Sequence, residues 1–556
     1  MLIEKKKIIL ISIIFLAAFL RFYQLGVNPP SLSWDEAALG YNAYSIGETG
    51  RDEFGRFLPY DFFASFGDYK PPAYVYAAVL PVKIFGLNEF AVRFPSAFFG
   101  ILAVLLTYFL VQELFPGFKK FSIINFQFSI GEIAAFFLAI SPWHIQMSRA
   151  AFEANLASFF VVLGVMLLLK AVNKQSLLLR NKRKGILLVL SAISFVITFY
   201  TFNSTRVFTP LLVLGLGFYY RQELLKIKKW VMVAMIIAAL MTVPLLPHLF
   251  SPEGRLRFKE VNIFSDLGVI NTTNQWMAQD QNAWWSRIVH NRRLSYTLLF
   301  FEHYFHHFEG KFLFISGDGN PKFSTQEVGE LYLFDLPFLL AGIYFLIKRK
   351  EKAAFPIFWW LLVAPFPAAT ARETPHALRI LDSLPTWQII TAYGFLGVYE
   401  TVKKSLLKKL FLIFALSFLI FNFTFYIHNY YAHYPSQYSG EWQYGYKEAV
   451  QTVSAIEENY QKVIVTKALG RPYIYFLFYK RYPPQKFWQS SQVEKEPFGF
   501  INVLGFDKYE FREVEWDKEE KGNNLYVMLT KDVPSGARIH KTINLLNGEP
   551  ILTIFD

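Results

Sequence analysis

The chain has 556 residues, of which 53% are hydrophobic, 19% aromatic and only 18% charged, a balance that excludes an ordinary soluble domain and makes a polytopic membrane protein the default. Cysteine is absent, which excludes disulfide bracing, thiol catalysis and thiolate metal sites. The net charge of +13 does not indicate nucleic acid, because Lys and Arg sit in short clusters between apolar runs, not as a stripe across a soluble domain.

The opening "MLIEKKKIILISIIFLAAFLRFYQLG" places Lys5 to Lys7 before an apolar stretch with no small-x-small cleavage site after it, and so reads as a retained first helix. Further basic clusters follow at Lys119 and Lys120, "KRK" 182–184, "KIKK" 226–229, "KRKEK" 348–352 and "KKSLLKK" 403–409. Placing all of them on the cytoplasmic side, as short loops require, gives crossings at 8–25, 92–115, 126–146, 154–172, 185–202, 206–220, 230–249, 331–347, 354–370, 378–400 and 409–428. Eleven crossings put the N-terminus in the cytoplasm of a cell membrane and the C-terminus outside. The same parity makes 71–86, "PPAYVYAAVLPVKIFG", an element of the outer interface, a short true crossing being the competing reading.

The external side then holds the loop 26–91, short loops near 143–153 and 371–377, the loop 250–330 and everything after 428. Asp35 and Glu36 follow Trp34 a short way past the first helix. Helix capping and catalysis both suit them, since Ser33 and Asp35 are good N-cap types. Lys70 in "GDYKPP", Arg93 in "NEFAVRFPSA", Arg149 and Glu153 in "SPWHIQMSRAAFEANL", Arg206, and Arg372, His376 and Arg379 in "ARETPHALRILDSLP" gather at the same outer helix ends. Singly, such arginines are commonly snorkelling or structural. Together they offer cations to a phosphate while a carboxylate takes a proton from an incoming hydroxyl, which is the chemistry of glycosyl transfer from a lipid-linked sugar.

In the loop 250–330, "FEHYFHHFEGKF" places His303 and His307 at helical i, i+4 spacing, but no third ligand accompanies them and an interfacial helix is the simpler reading. The rest of that loop suits a lid or a wall of the acceptor groove. Beyond 428, a helix, the strand "KVIVT", another helix and the strand-like "GFINVL", "LYVMLT" and "PILTIFD" predict an α/β domain of about 125 residues, large enough for its own core. The expected organisation is therefore a membrane module over 1–428 and an extracytoplasmic α/β domain over 429–556.

The acidic pair, the "KPP" step, the "RFPSA" helix start, the "SPWHIQMSR" loop and the external C-terminal domain resemble the GT-C membrane glycosyltransferases. The likeness lies with the protein O-mannosyltransferase and aminoarabinose lipid A transferase group, glycosyltransferase family 39 and its neighbours, over roughly residues 5 to 400. The resemblance implies an inverting transferase that uses a polyprenyl-phosphate sugar donor and a hydroxyl acceptor on a protein, lipid or glycan. Asp35 matches the base or acceptor-orienting group, with Glu36 second to it, and Lys70 and Arg93 match donor-phosphate contacts. Arg149, Arg206, His376 and Arg379 complete the expected donor-binding set. No metal cofactor is expected, since Lys and Arg already supply the cations. The alternative is a transporter or flippase for a lipid-linked sugar, but the clearest crossings, such as 186–202 and 231–247, lack the midplane charges that transport needs.

Overall fold

The structure is a computed structural model that describes residues 2–117, 121–123, 126–173, 181–496, 500–519 and 522–556. Of the basic clusters, Lys119 and Lys120, and the side chains of Lys5 to Lys7, lie outside the described residues. The chain divides into two compact units, one of Met1–Leu20, Phe99–Met147 and Ala154–Tyr426, the other of Arg21–Phe98, Ser148–Glu153 and Ile427–Asp556. The second unit thus gathers the first external loop and the 148–153 turn together with the C-terminal segment.

Helices form along the apolar stretches from which crossings are expected. Among the described residues, Glu89–Leu114, Glu153–Val172, Lys228–Phe250 and Ser405–Tyr438 are long and apolar enough to cross a membrane, and shorter apolar helices include Ile8–Phe22, Ile130–Ile140, Thr205–Tyr219 and Ala354–Ala368. Prolines set several of the differences from the expected spans. The run 126–146 is broken after Ile140, because Pro142 opens a new helix, Pro142–Arg149, where its missing N–H costs nothing. The run 378–400 forms a 3-10 turn at Leu381–Ser383 and becomes α-helical only at Thr386, since Pro385 holds Leu384 extended at ψ 143°. Asp335–Lys348 and Thr386–Thr401 pack backbone to backbone through glycine: a Cβ on Gly342 would lie 2.1 Å from the Ile390 carbonyl oxygen, and one on Gly394 1.8 Å from that of Phe338.

In the second unit, a mixed sheet of seven strands runs in the order Ile539–Asn544, Pro550–Phe555, Asn524–Leu529, Lys462–Val465, Tyr509–Phe511, Ile501–Phe506 and Gln492–Lys495. Its central strand pairs in parallel with both neighbours, and Val463, Ile464 and Val465 are fully buried, as a strand covered on both faces requires. The helix Pro472–Tyr479 lies against the first-loop helix Trp34–Thr49. Tyr475 donates to the Leu32 carbonyl at 3.0 Å, Tyr41 donates to that of Tyr482 at 2.9 Å, and a Cβ on Gly40 would meet the Phe478 ring at 2.6 Å. The stretch 71–86 forms a helix, Ala73–Phe85, whose 13 residues extend about 20 Å, short of a hydrocarbon core of roughly 30 Å.

Candidate active site

A capping box starts the helix Trp34–Thr49. The Ser33 hydroxyl accepts from the Glu36 N–H at 3.3 Å, and the Glu36 carboxylate accepts from the Ser33 N–H at 3.0 Å. This fixes the first turn so that Asp35 keeps its side chain 47% exposed while Glu36 turns inward. Two short strands, Phe63–Ser65 and Asp68–Lys70, form a hairpin in which Asp68 and Lys70 share a face, being two residues apart.

Lys70 is the centre of the site. Its ammonium lies 3.1 Å from Asp68 Oδ2, 3.2 Å from Asp35 Oδ1 and 3.5 Å from Glu153 Oε1, with the side chain 10% exposed. Burial works against the charge, but Asp35, Glu153 and Asp68 outweigh it and hold the Lys70 pKa well above its usual 10.5. Lys70 therefore stays cationic at any physiological pH. Three carboxylates surround one ammonium, Asp68 accepting a hydrogen bond from it and Asp35 and Glu153 pairing with its charge, and only Asp35 among them is largely open to water.

Glu36 and Arg93 form a separate, fully buried pair. Arg93 Nε donates to Glu36 Oε1 at 2.9 Å, and the rest of its guanidinium donates to the carbonyls of Leu25, Pro29 and Ser31. The other Glu36 partners are the N–H groups of Ser33 and Ala151. Arg149 is equally buried: it donates to the carbonyls of Arg21 and Asn28 and, at 3.1 Å, to the Tyr430 hydroxyl. Both arginines tie the carbonyl-rich loop 21–31 in place, and both face aromatic rings, Arg93 over Trp442 and Arg149 over Tyr430.

Arg206, His376 and Arg379 belong to the first unit, whereas Asp35, Glu36, Lys70, Arg93 and Arg149 belong to the second. Arg206 donates to the Phe199 carbonyl, and Arg379 to that of Glu373. His376 lies 3.6 Å from Asp318 Oδ2 with its ring against Phe323. Asp318 also accepts from the N–H groups of Ala377 at 2.7 Å and Asn320 at 2.8 Å. His303 and His307 place Nδ1 against the carbonyls of Ala371 and His303, each at 2.8 Å.

Burial pushes the Asp318 pKa up from 3.8 to about 6, against the two N–H donors that favour its anion. A carboxyl with a raised folded pKa binds its proton more tightly when folded, so stability is lost as pH rises from about 4 to 6. The loss has a ceiling of roughly 3 kcal/mol. Thermal unfolding of Asp318→Asn in detergent is expected to lack that part of the slope; identical pH profiles would refute it.

Residues 11–252 match the family described as dolichyl-phosphate-mannose-protein mannosyltransferase. ArnT from Cupriavidus metallidurans, both in the apo state and bound to undecaprenyl phosphate, aligns with TM-scores of 0.54 and 0.53 at 10% identity, over 98% of this chain and 97% of its own. The chain has the GT-C fold. The Archaeoglobus fulgidus oligosaccharyltransferase in its apo form aligns with a TM-score of 0.51 at 15% identity, over 84% of this GT-C chain and 63% of its own. YkcB of Bacillus subtilis (strain 168), whose assignment as a mannosyltransferase is itself provisional, is 28% identical over 185 residues. That match covers 32% of this chain and 23% of YkcB, so the GT-C chain spans about a quarter of that relative's length. These likenesses and the apolar helices place the protein in a membrane.

Proposed function

We propose that the protein is an inverting glycosyltransferase that moves a sugar from a polyprenyl-phosphate donor to a hydroxyl acceptor at the outer membrane face, with its N-terminus in the cytoplasm. The observation that carries this reading is the half-exposed Asp35 carboxylate held 3.2 Å from the caged Lys70 ammonium. A base and a phosphate-binding cation are thereby in ion-pair contact on a helix start and a hairpin. The likeness to ArnT, which has been seen with undecaprenyl phosphate, supports the donor class.

In the proposed reaction the acceptor oxygen attacks the anomeric carbon, the bond from that carbon to the phosphate oxygen breaks with its electrons going to phosphate, and Asp35 takes the hydroxyl proton. Three carboxylates surround the Lys70 ammonium and compensate its charge. A donor phosphate must displace one of them, and Asp35, the most exposed, is the one that yields. Docking the phosphate on Lys70 would thus release Asp35 to the acceptor hydroxyl at the moment both substrates are present. Asp68 and Glu153 keep the ammonium charged and aimed. Glu36, Arg93 and Arg149 act by holding the loop, their hydrogen-bonding groups being already committed to it. Lys70 does the work of a divalent metal here, so the reaction needs none.

The test is transfer from radiolabelled polyprenyl-phosphate sugars in proteoliposomes containing the purified protein. Labelled acceptor is expected to accumulate, undiminished by EDTA. Labelled lipid that equilibrates across the bilayer with no transfer would replace the transferase with a flippase.

A further inference from the structure

In the first unit, an apolar slot of about 610 Å³ opens between the helices Leu2–Phe22 and Ser405–His428, with Ile130–Ile140 and Thr386–Thr401 behind it. Ile13 and Leu16 form one wall and Leu412 and Leu419 the other. Phe137 and Phe395, in edge contact at 6.3 Å, line the back. Such a slot in a membrane cannot hold water favourably, and left unfilled it forfeits the dispersion contacts of its lining.

Beyond one end of the slot, the helix Ser405–His428 begins with lysines. Lys408, Leu412, Ala415 and Leu419 recur at intervals of four, three and four, so Lys408 stands on the slot-lining stripe one turn beyond Leu412, its ammonium 4.8 Å from the Tyr399 ring. Lys404 precedes Lys408 by one further turn. Among the described residues lining the slot the acid is Glu132, which already accepts from the Ser129 N–H at 2.6 Å and from its hydroxyl at 2.9 Å as part of a helix cap.

We propose that this slot binds an anionic phospholipid of the leaflet at which these lysines lie, one acyl chain between the two helices and the phosphate against Lys408 and Lys404. A lipid tail matches the lining, and the charge of the mouth selects the headgroup. The site uses none of the residues assigned to sugar transfer and stands whether or not that reading holds.

The full-length protein, reconstituted with equal amounts of phosphatidylglycerol, phosphatidylethanolamine and phosphatidylcholine and then stripped with mild detergent, is to be assayed for retained lipid by native mass spectrometry. Phosphatidylglycerol is expected to dominate. Lys408→Glu is expected to lower its retention by about fivefold or more, as the loss of one cation near a headgroup implies, while Lys408→Arg keeps it. Equal retention of the three lipids, or a preference untouched by Lys408→Glu, would mean ordinary boundary lipid only and would overturn the proposal. Unchanged thermal unfolding of both variants excludes misfolding as the cause.

Discussion

Asp35→Asn is expected to lower sugar transfer by about 10²- to 10⁴-fold, the range over which a positioned general base contributes, while leaving the unfolding temperature within a few degrees of wild type. The substitution keeps size and shape, and the side chain is half exposed and outside the Ser33–Glu36 capping box, so little folding energy is at stake. An amide can still accept from Lys70 but cannot take a proton. Lys70→Met supplies the contrast: it removes the cation from among Asp35, Asp68 and Glu153, leaving three mutually repelling carboxylates, two of them mostly buried. That variant should lose both activity and stability, and a companion Lys70→Arg, which keeps the charge, should recover the stability first. Single-turnover transfer with saturating donor separates the two residues. Asp35→Asn should still bind donor and fail in the chemical step, whereas loss of Lys70 should weaken donor binding. Wild-type turnover in Asp35→Asn would remove it as the base.

Much of this arrangement is legible in the sequence because each feature has a local cause. Apolar runs of membrane length become helices, "SWDE" becomes a capping box, and β-branched "KVIV" becomes a buried strand. The positions at which runs break are legible too, at Pro142 and Pro385, but only if the missing N–H is given weight over hydrophobicity. Asp68 carries a readable signal, its two-residue spacing from Lys70 in "DYK", yet that spacing matters only once the segment is known to be a strand. Glu153 joins Lys70 from 83 residues away, a contact that no local pattern encodes. Arg93 and Arg149 illustrate the converse. Their charge and their place at helix ends suggest ligand contacts, but the proline-rich loop 21–31 exposes carbonyls that must find donors, and the two guanidiniums are consumed in supplying them.

Arg93→Ala is accordingly expected to damage folding more than donor recognition. The guanidinium is fully buried and joins Glu36 to the carbonyls of Leu25, Pro29 and Ser31, so truncation leaves a buried carboxylate without its counter-ion and three carbonyls short of donors. Breaking a buried pair by removing one member costs about 3 to 5 kcal/mol, enough to consume much of the stability of a marginally stable domain. Thermal unfolding in detergent should register this as a large fall in midpoint, and the donor KM of whatever remains folded should be near normal. Arg93→Lys should help little, since one ammonium has three N–H groups for a fork that serves four partners. Arg93→Met combined with Glu36→Gln should be less harmful than Arg93→Ala alone, because the uncompensated charge is gone even though the carbonyls stay unpaired. A variant Arg93→Ala that unfolds at the wild-type temperature but needs far more donor would reverse the assignment and put Arg93 on the phosphate after all. The same pair of readings, midpoint against KM, applied to Arg149→Ala decides whether the second clamp follows the first.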